Sequence, residues 1–329
     1  MKTITPRKIM IYLAITLGVL VAVALVTFLI LYFMPHRSTT LQHASTEKLS
    51  YDAAAKKVAT QQKTDTTKQD FEKGCESKVY THGKKVARSV VMFHGITACP
   101  KQYSEVAKAF FDAGYNVYVP LAPEHGTTKN PEATADITLA GLTQYVGDSY
   151  SVATGLGDSV GFVGISGGAD LATWGAQYIG GVSRLLVISP FYEVSAQASP
   201  TWQTPLLLSL YGMNLAPDRI TQGFSVRALA KYLTIVQNYR EDLTATNLKH
   251  IAVVTSANDT QINLNTAHHI PKTLAQNSKS SFQQTRLAPE LDIGHDALNP
   301  TDAAIKKHQS QLNDLYLSFY ENREPAKEL

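Results

Sequence analysis

Residues Val160 to Asp170 read VGFVGISGGAD, and this stretch decides the fold. Its first half is apolar and β-branched, the composition of a buried strand, and a helix-like apolar spacing runs on from Ala169 to Ile179. Between them Gly164, Ser166 and Gly168 form G-x-S-x-G. A serine at a sharp strand-to-helix corner sits in strained backbone with its hydroxyl exposed, and strand and helix pass too close for side chains at the flanking positions. A helix beginning at Gly167 would also aim free amides and the positive end of its dipole at that hydroxyl. The pentapeptide alone leaves open a glycine-rich turn with an incidental serine; the strand before it and the helix after it argue for the corner.

Outward from this point, short β-branched runs alternate with amphipathic ones. Strands are expected at Ser89–Phe93, Asn116–Val119, Ser159–Val163, Arg184–Ile188, His250–Thr255 and Gln284–Leu287. Helices are expected near Gln102–Ala113, Ile137–Thr154, Ala169–Ile179, Asn265–Ala275 and Thr301–Tyr320. That alternation predicts an α/β fold, a mostly parallel sheet with helices on both faces. One stretch breaks the rhythm: about sixty residues separate the Arg184 and His250 strands, rich in aromatics and without an obvious strand. We read it as a small helical cap, about residues 191–247. Leu206 to Leu210, Tyr211, Met213 and Phe224 either line it for acyl or aromatic groups or pack it on the body.

A serine hydroxyl is a weak nucleophile and needs an adjacent base, itself oriented by an acid. Downstream, SANDTQIN places Asp259 just past a strand, and DIGHDALNP places His295 in a loop after the last strand. The order Ser166, Asp259, His295 is the chain order of serine hydrolases with a strand-to-helix nucleophile corner. Glu193, Asp292 and Asp296 are rival acids. His268 and His269 fall inside a helix pattern, and His125 lies too early in the chain to rival His295. The oxyanion of a tetrahedral intermediate needs preorganised N–H donors. Gly167 follows the nucleophile and supplies one; Ile96, in VVMFHGITACP, is the expected second, with Thr97 a neighbour. His94 reads as a structural hydrogen-bonding residue.

The set HGITACP, PLAPEHG, GISGGAD, SANDTQIN and DIGHDALNP resembles the α/β-hydrolase superfamily, within it the bacterial carboxylesterase and monoacylglycerol-lipase-like serine hydrolases. The likeness spans roughly Val79 to Tyr320. It implies an eight-stranded sheet and hydrolysis of carboxylic esters through an acyl-enzyme. Ile96 stands where an aromatic residue is more frequent, which bears on the shape of the acyl pocket and not on the amide. A thioesterase, amidase or acyltransferase would use the same residues, and a non-catalytic cell-surface module is the alternative of a different class. Two cysteines cannot build a tetrahedral thiolate zinc site and no H-E-x-x-H occurs, so no metal or cofactor is expected.

The other end of the chain sets the location. Ile9 to Phe33 is uncharged and apolar apart from two threonines, long enough at about 1.5 Å per residue to cross a hydrocarbon core of about 30 Å. A cleaved signal peptide would have a shorter core and a small-residue cleavage site beyond it, where MPHRSTT stands. We therefore expect a transmembrane anchor over 9–34. Lys2, Arg7 and Lys8 precede it, so residues 1–8 are expected in the cytoplasm and everything after Arg37 outside it. Setting those four cations aside, 26 Lys and Arg remain against 27 acids, and the near-neutral body gives no argument for nucleic-acid binding. Residues 35–72, polar with few large apolar side chains, read as a stalk, partly helical through Tyr51 to Ala59, ahead of a catalytic domain at 73–329. Cys75 and Cys99, the only cysteines, both lie in the exported part, where a disulfide is permitted; two unrelated thiols are the other reading.

Overall fold

A computed structural model describes residues 5–127, 131–221 and 223–329. Lys2 and the start of the expected cytoplasmic segment lie outside them. Helix α1 (Pro6–Phe33) opens with proline at its first turn and buries none of its side chains. It is long and apolar enough to cross a membrane. Helix α2 (Tyr51–Asp65) follows, capped by Ser50, whose hydroxyl accepts from the Ala53 amide.

The body is a seven-stranded sheet in the order β1-β3-β2-β4-β5-β8-β9. Its strands are β1 (Lys78–Tyr80), β2 (Val86–Phe93), β3 (Asn116–Val119), β4 (Gly157–Ile165), β5 (Val182–Ile188), β8 (His250–Ser256) and β9 (Ser281–Leu287). Only β1 runs antiparallel, on β3; every other pairing is parallel. The helices between are α3 (Ser104–Asp112), α4 (Leu139–Leu156), α5 (Gly167–Tyr178), α6 (Thr204–Leu207), α7 (Val226–Gln237), α8 (Leu264–Asn277) and α9 (Ala303–Glu321); a hairpin pairs β6 (Ile220–Thr221) with β7 (Phe224–Ser225).

Every residue of β8 is buried, as is β2 from Ser89 onward, because both faces of the sheet are covered. Side chains alternate between two cores, as the pleat requires. Val91, Phe93, Phe162, Val187 and Val253 face α4, α5, α7 and α8. Val90, Met92, Val163, Ile188 and Val254 face α3 and α9. All six expected strands and five expected helices occur, most of them extended by one to three residues at an end. The sheet has seven strands where resemblance implied eight, because the chain ahead of β1 is committed to α2 and to the turns that lead from it.

The expected stalk is a second departure. Residues 36–65 lie along the body. Ser38 donates its amide to Asn238 Oδ1, the Trp174 indole donates to the Leu41 carbonyl, and the amides of Glu47 and Leu49 donate to Ser151 Oγ and Thr154 Oγ1. Ala54 and Val58 are buried in the α4 side of the core. Few large apolar residues are needed because α4 offers small ones: a Cβ on Gly147 would lie 2.3 Å from the Ser45 carbonyl oxygen, and one on Gly155 2.6 Å from both Ala54 Cβ and the Ser50 carbonyl oxygen. Close backbone approach replaces side-chain bulk. The covering segment is also shorter than expected: α7 buries Ala228, Tyr232 and Ile235 and packs on α5 as part of the body, leaving 194–225 between β5 and α7, with a short hairpin among its helical turns.

Cys75 and Cys99 form a disulfide across 24 residues, tying the approach to β1 to the loop after β2.

The packing of α2 sets a test by sign. In a free helix Gly→Ala stabilises by about 0.5–1 kcal/mol. Gly155→Ala should instead destabilise the chain by about 1–3 kcal/mol through overpacking against Ala54 and Ser50. Urea unfolding in detergent reads the difference, and a stabilised variant would mean that α2 stands free of the body.

Candidate active site

Ser166 is the junction between β4 and α5, with φ 54° and ψ −127°. A non-glycine residue held there costs on the order of 1–3 kcal/mol and persists only where the surroundings fix it. Here the Ser166 amide donates to the Ile188 carbonyl of β5 at 3.0 Å, and its own carbonyl accepts from the Ala169 amide at 2.9 Å. The flanking glycines are steric necessities. A Cβ on Gly168 would stand 2.1 Å from the Phe93 carbonyl oxygen, and one on Gly164 2.5 Å from the Gly168 oxygen. Gly164 pairs with Phe93 and Val187 on its two neighbours, so the corner rises from the middle of the sheet.

The structure brings Ser166, His295 and Asp259 into one hydrogen-bonded line. His295 Nδ1 lies 2.7 Å from Asp259 Oδ2, and Nε2 lies 2.8 Å from Ser166 Oγ. A carboxylate only accepts, so Nδ1 carries the ring proton and Nε2 accepts from the serine. The Asp259 side chain is fully buried and that of His295 is 11% exposed. Asp259 Oδ1 accepts the Gln261 amide at 2.9 Å. The loop that carries Asp259 is stitched to the chain leaving β5 by an isolated bridge between Val194 and Ile262 and by the Asn263 amide on the Glu193 carbonyl. Ser256, at the end of β8, donates to the Ile293 carbonyl, fixing the His295 loop to the strand that carries Asp259.

The rival residues are otherwise engaged. The Glu193 carboxylate accepts from Asn263 Nδ2 and Thr266 Oγ1 at the start of α8. Asp292 is an exposed left-handed residue, and Asp296 Oδ1 accepts from Gln102 Nε2 at 2.8 Å. His268 bonds Thr255 and Gln284, and His269 is exposed on α8.

Ile96 and Gly167 are in contact: the Ile96 side chain comes within 2.4 Å of where a Gly167 Cβ would be. Gly167 is the first residue of α5, where amides have no acceptor within the helix. Two histidines hold the loop that carries Ile96. His125 Nε2 lies 2.7 Å from the Ile96 carbonyl oxygen. His94 Nδ1 donates to the Gly95 carbonyl at 2.9 Å while Nε2 accepts the Ala122 amide at 3.0 Å. Burial is the chief reason its pKa falls to about 3. Gln102, which carries no local sequence signal for a site role, bridges the Gly95 amide (3.0 Å, at Oε1) and Asp296, and so joins the Ile96 loop to the His295 loop. Burial raises the pKa of Asp296, with the Gln102 amide opposing that rise most strongly.

A cavity of about 120 Å³ contains Ser166 and His295, with Phe191, Val194, Phe224 and Leu229 on its apolar side. It meets a more polar cavity of about 300 Å³ at Ile96, Thr97, Gln102 and Phe224. Of the residues proposed to line the cap, Phe224 faces both; Leu206 to Tyr211 and Met213 line neither, Leu207 and Leu208 packing into the core beside α7 while α6 also touches α1. Among the described residues no cluster of His, Cys, Asp or Glu is arranged to hold a metal.

No family model matches the chain, and no curated protein matches it. Solved structures do. A metagenome-derived lipolytic enzyme aligns with a TM-score of 0.56 at 20% identity, over 77% of this chain and all of its own. A thermostable carboxyl esterase from Bacillus coagulans, in complex with glycerol, gives 0.53 at 12% identity over 75% of this chain and 93% of its own. Est1E from Butyrivibrio proteoclasticus, bound to ferulic acid, gives 0.51 at 12% identity over 74% and 94%. The fold they share with this chain is that of the α/β-hydrolases.

Neutral His94 leaves a signature in acid. Its folded pKa of about 3 lies below the ordinary 6.5, so the unfolded chain takes up the proton first. The stability it confers is full above about pH 6.5 and is lost as the pH falls toward 3. Between pH 7 and pH 5 the wild type should lose about 2 kcal/mol more than His94→Gln. Urea unfolding at the two pH values measures this; equal losses would refute it.

Proposed function

We propose that this chain, built on the α/β-hydrolase fold, is a membrane-anchored serine hydrolase that cleaves carboxylic esters outside the cytoplasm through an acyl-enzyme. The observation that carries the reading is the line from Asp259 through His295 to Ser166, at 2.7 and 2.8 Å, ending on a serine in strained backbone at the floor of a cavity. Lipolytic and esterase activity in proteins of the same fold is consistent with it.

In this account Ser166 Oγ attacks the ester carbonyl while His295 Nε2 takes its proton. Asp259 holds the ring so that Nε2 faces the serine and stabilises the imidazolium that forms. The Ile96 and Gly167 amides receive the developing oxyanion, in a pocket whose apolar walls strengthen each contact. His295 returns the proton to the leaving alcohol and then activates the water that releases the acid. The cavity beside Ser166 is apolar along Phe191, Val194 and Leu229 and runs on into the more polar one at Ile96 and Thr97, which suits an ester with an apolar acyl group and a more polar alcohol. In this reading helix α1 is the anchor; Arg7 and Lys8 at its start favour a cytoplasmic N-terminus, and the Cys75–Cys99 disulfide suits an oxidising exterior.

The detergent-solubilised full chain should hydrolyse p-nitrophenyl acetate or butyrate well above the matched anilide. Asp259→Ala or His295→Ala should lower kcat by about 10⁴-fold or more while leaving urea unfolding close to wild type. Absence of ester turnover in the wild type, or turnover unchanged in both variants, would overturn the assignment.

A further inference from the structure

Beyond α1, five large apolar side chains are markedly exposed among the described residues: Trp202, Met213, Leu215, Ile220 and the C-terminal Leu329. Four of the five fall within nineteen consecutive residues, Trp202 to Ile220. Scattered exposed apolar residues need no explanation, but confinement of nearly all of them to one segment does.

The same segment touches α1. Ser209 donates its hydroxyl to the Leu31 carbonyl in the last turn of that helix and lies 3.2 Å from His36 Nε2, and α6 packs on α1. Leu31 lies 22 residues after Ile9, about 33 Å along a helix. If Ile9 marks the inner edge of a hydrocarbon core of about 30 Å, Leu31 stands at the outer edge. Ser209 is therefore held at the depth where hydrocarbon gives way to headgroups. Trp202, Met213, Leu215 and Ile220 flank it in sequence, with Asp218 and Arg219 as the only charges between them. Tryptophan and aliphatic side chains beside an exposed arginine suit an interfacial zone.

We propose that the face from Trp202 to Ile220 is a lipid-docking surface that seats the body on the bilayer around the outer end of α1. The proposal rests on reading α1 as the membrane anchor. It has a consequence for the site: Ile220 opens the β6–β7 hairpin, whose Phe224 lines both cavities. The mouth of the site then lies beside the lipid surface, where an amphipathic ester would partition.

The chain has two tryptophans, and Trp174 is fully buried with its indole bonded to Leu41. The full chain would be reconstituted into phosphatidylcholine vesicles with plain or brominated acyl chains, since bromine quenches an indole only near contact. Brominated lipid should remove most of the Trp202 emission, and Trp202→Phe should abolish the bromine-dependent difference. The paired substitution Met213→Glu, Leu215→Glu should leave detergent-phase turnover of a soluble ester unchanged and lower turnover of a vesicle-borne ester about tenfold or more. Equal emission in both vesicles, from a chain that resists alkaline carbonate extraction, would overturn docking alone. Release by carbonate would overturn the anchor and docking together. Loss of self-association in the paired variant without any quenching would assign the face to a second copy and overturn the proposal. Detergent-phase turnover decides the catalytic reading separately.

Discussion

The contact on which the rest of the site depends is the passage of the Gly168 backbone over the carbonyls of Phe93 and His94. A single added carbon at Gly168 would come within 2.1 Å of one oxygen and 2.5 Å of the other. This proximity fixes where α5 begins, and so holds Ser166 at positive φ above the end of β4. It also sets the His94 loop against the first turn of α5, which is why the Ile96 side chain meets Gly167. The proposed nucleophile and the proposed oxyanion donors are two outcomes of one packing constraint between β2, β4 and α5.

His295 and Asp259, the proposed base and acid, come from farther along the chain and are positioned by different means. Their loops leave the ends of β8 and β9, adjacent parallel strands, so a parallel sheet delivers both to the same edge as Ser166. Small polar ties then set their exact poses: Ser256 to Ile293, Gln261 to Asp259, and Gln102 between Gly95 and Asp296. Glu193, a rival acid by sequence position, serves instead to hold the start of α8 and the strand-like contact of Val194 with Ile262. Such buried ties are costly when half satisfied and specify one geometry when complete.

Much of this was legible in the sequence because it depends on local pattern. The strand-to-helix corner, the β-branched runs and the order of Ser166, Asp259 and His295 are written in neighbouring residues. What was not legible depends on long-range approach between small residues. The segment before β1 reads as polar and unable to build a core, yet Ala54 and Val58 are fully buried because Gly147 and Gly155 let it come close to α4. Composition counts side-chain bulk and misses surfaces that fit through its absence. Gln102 has no local signal, since a glutamine before a helix is ordinary; its two partners lie 7 and 194 residues away. The leucine-rich run from Leu206 was ambiguous between lining the site and packing on the body, and in the structure Leu207 and Leu208 pack into the core beside α7.

The central claim is that Ser166 is a nucleophile activated by its neighbours. The most direct measurement is covalent labelling of the intact, folded chain with a fluorophosphonate, followed by peptide mass mapping. The account predicts one adduct per chain, on Ser166, formed quickly in the native protein and lost after unfolding. Labelling spread over several serines, or no adduct on Ser166 in a folded chain, would contradict it.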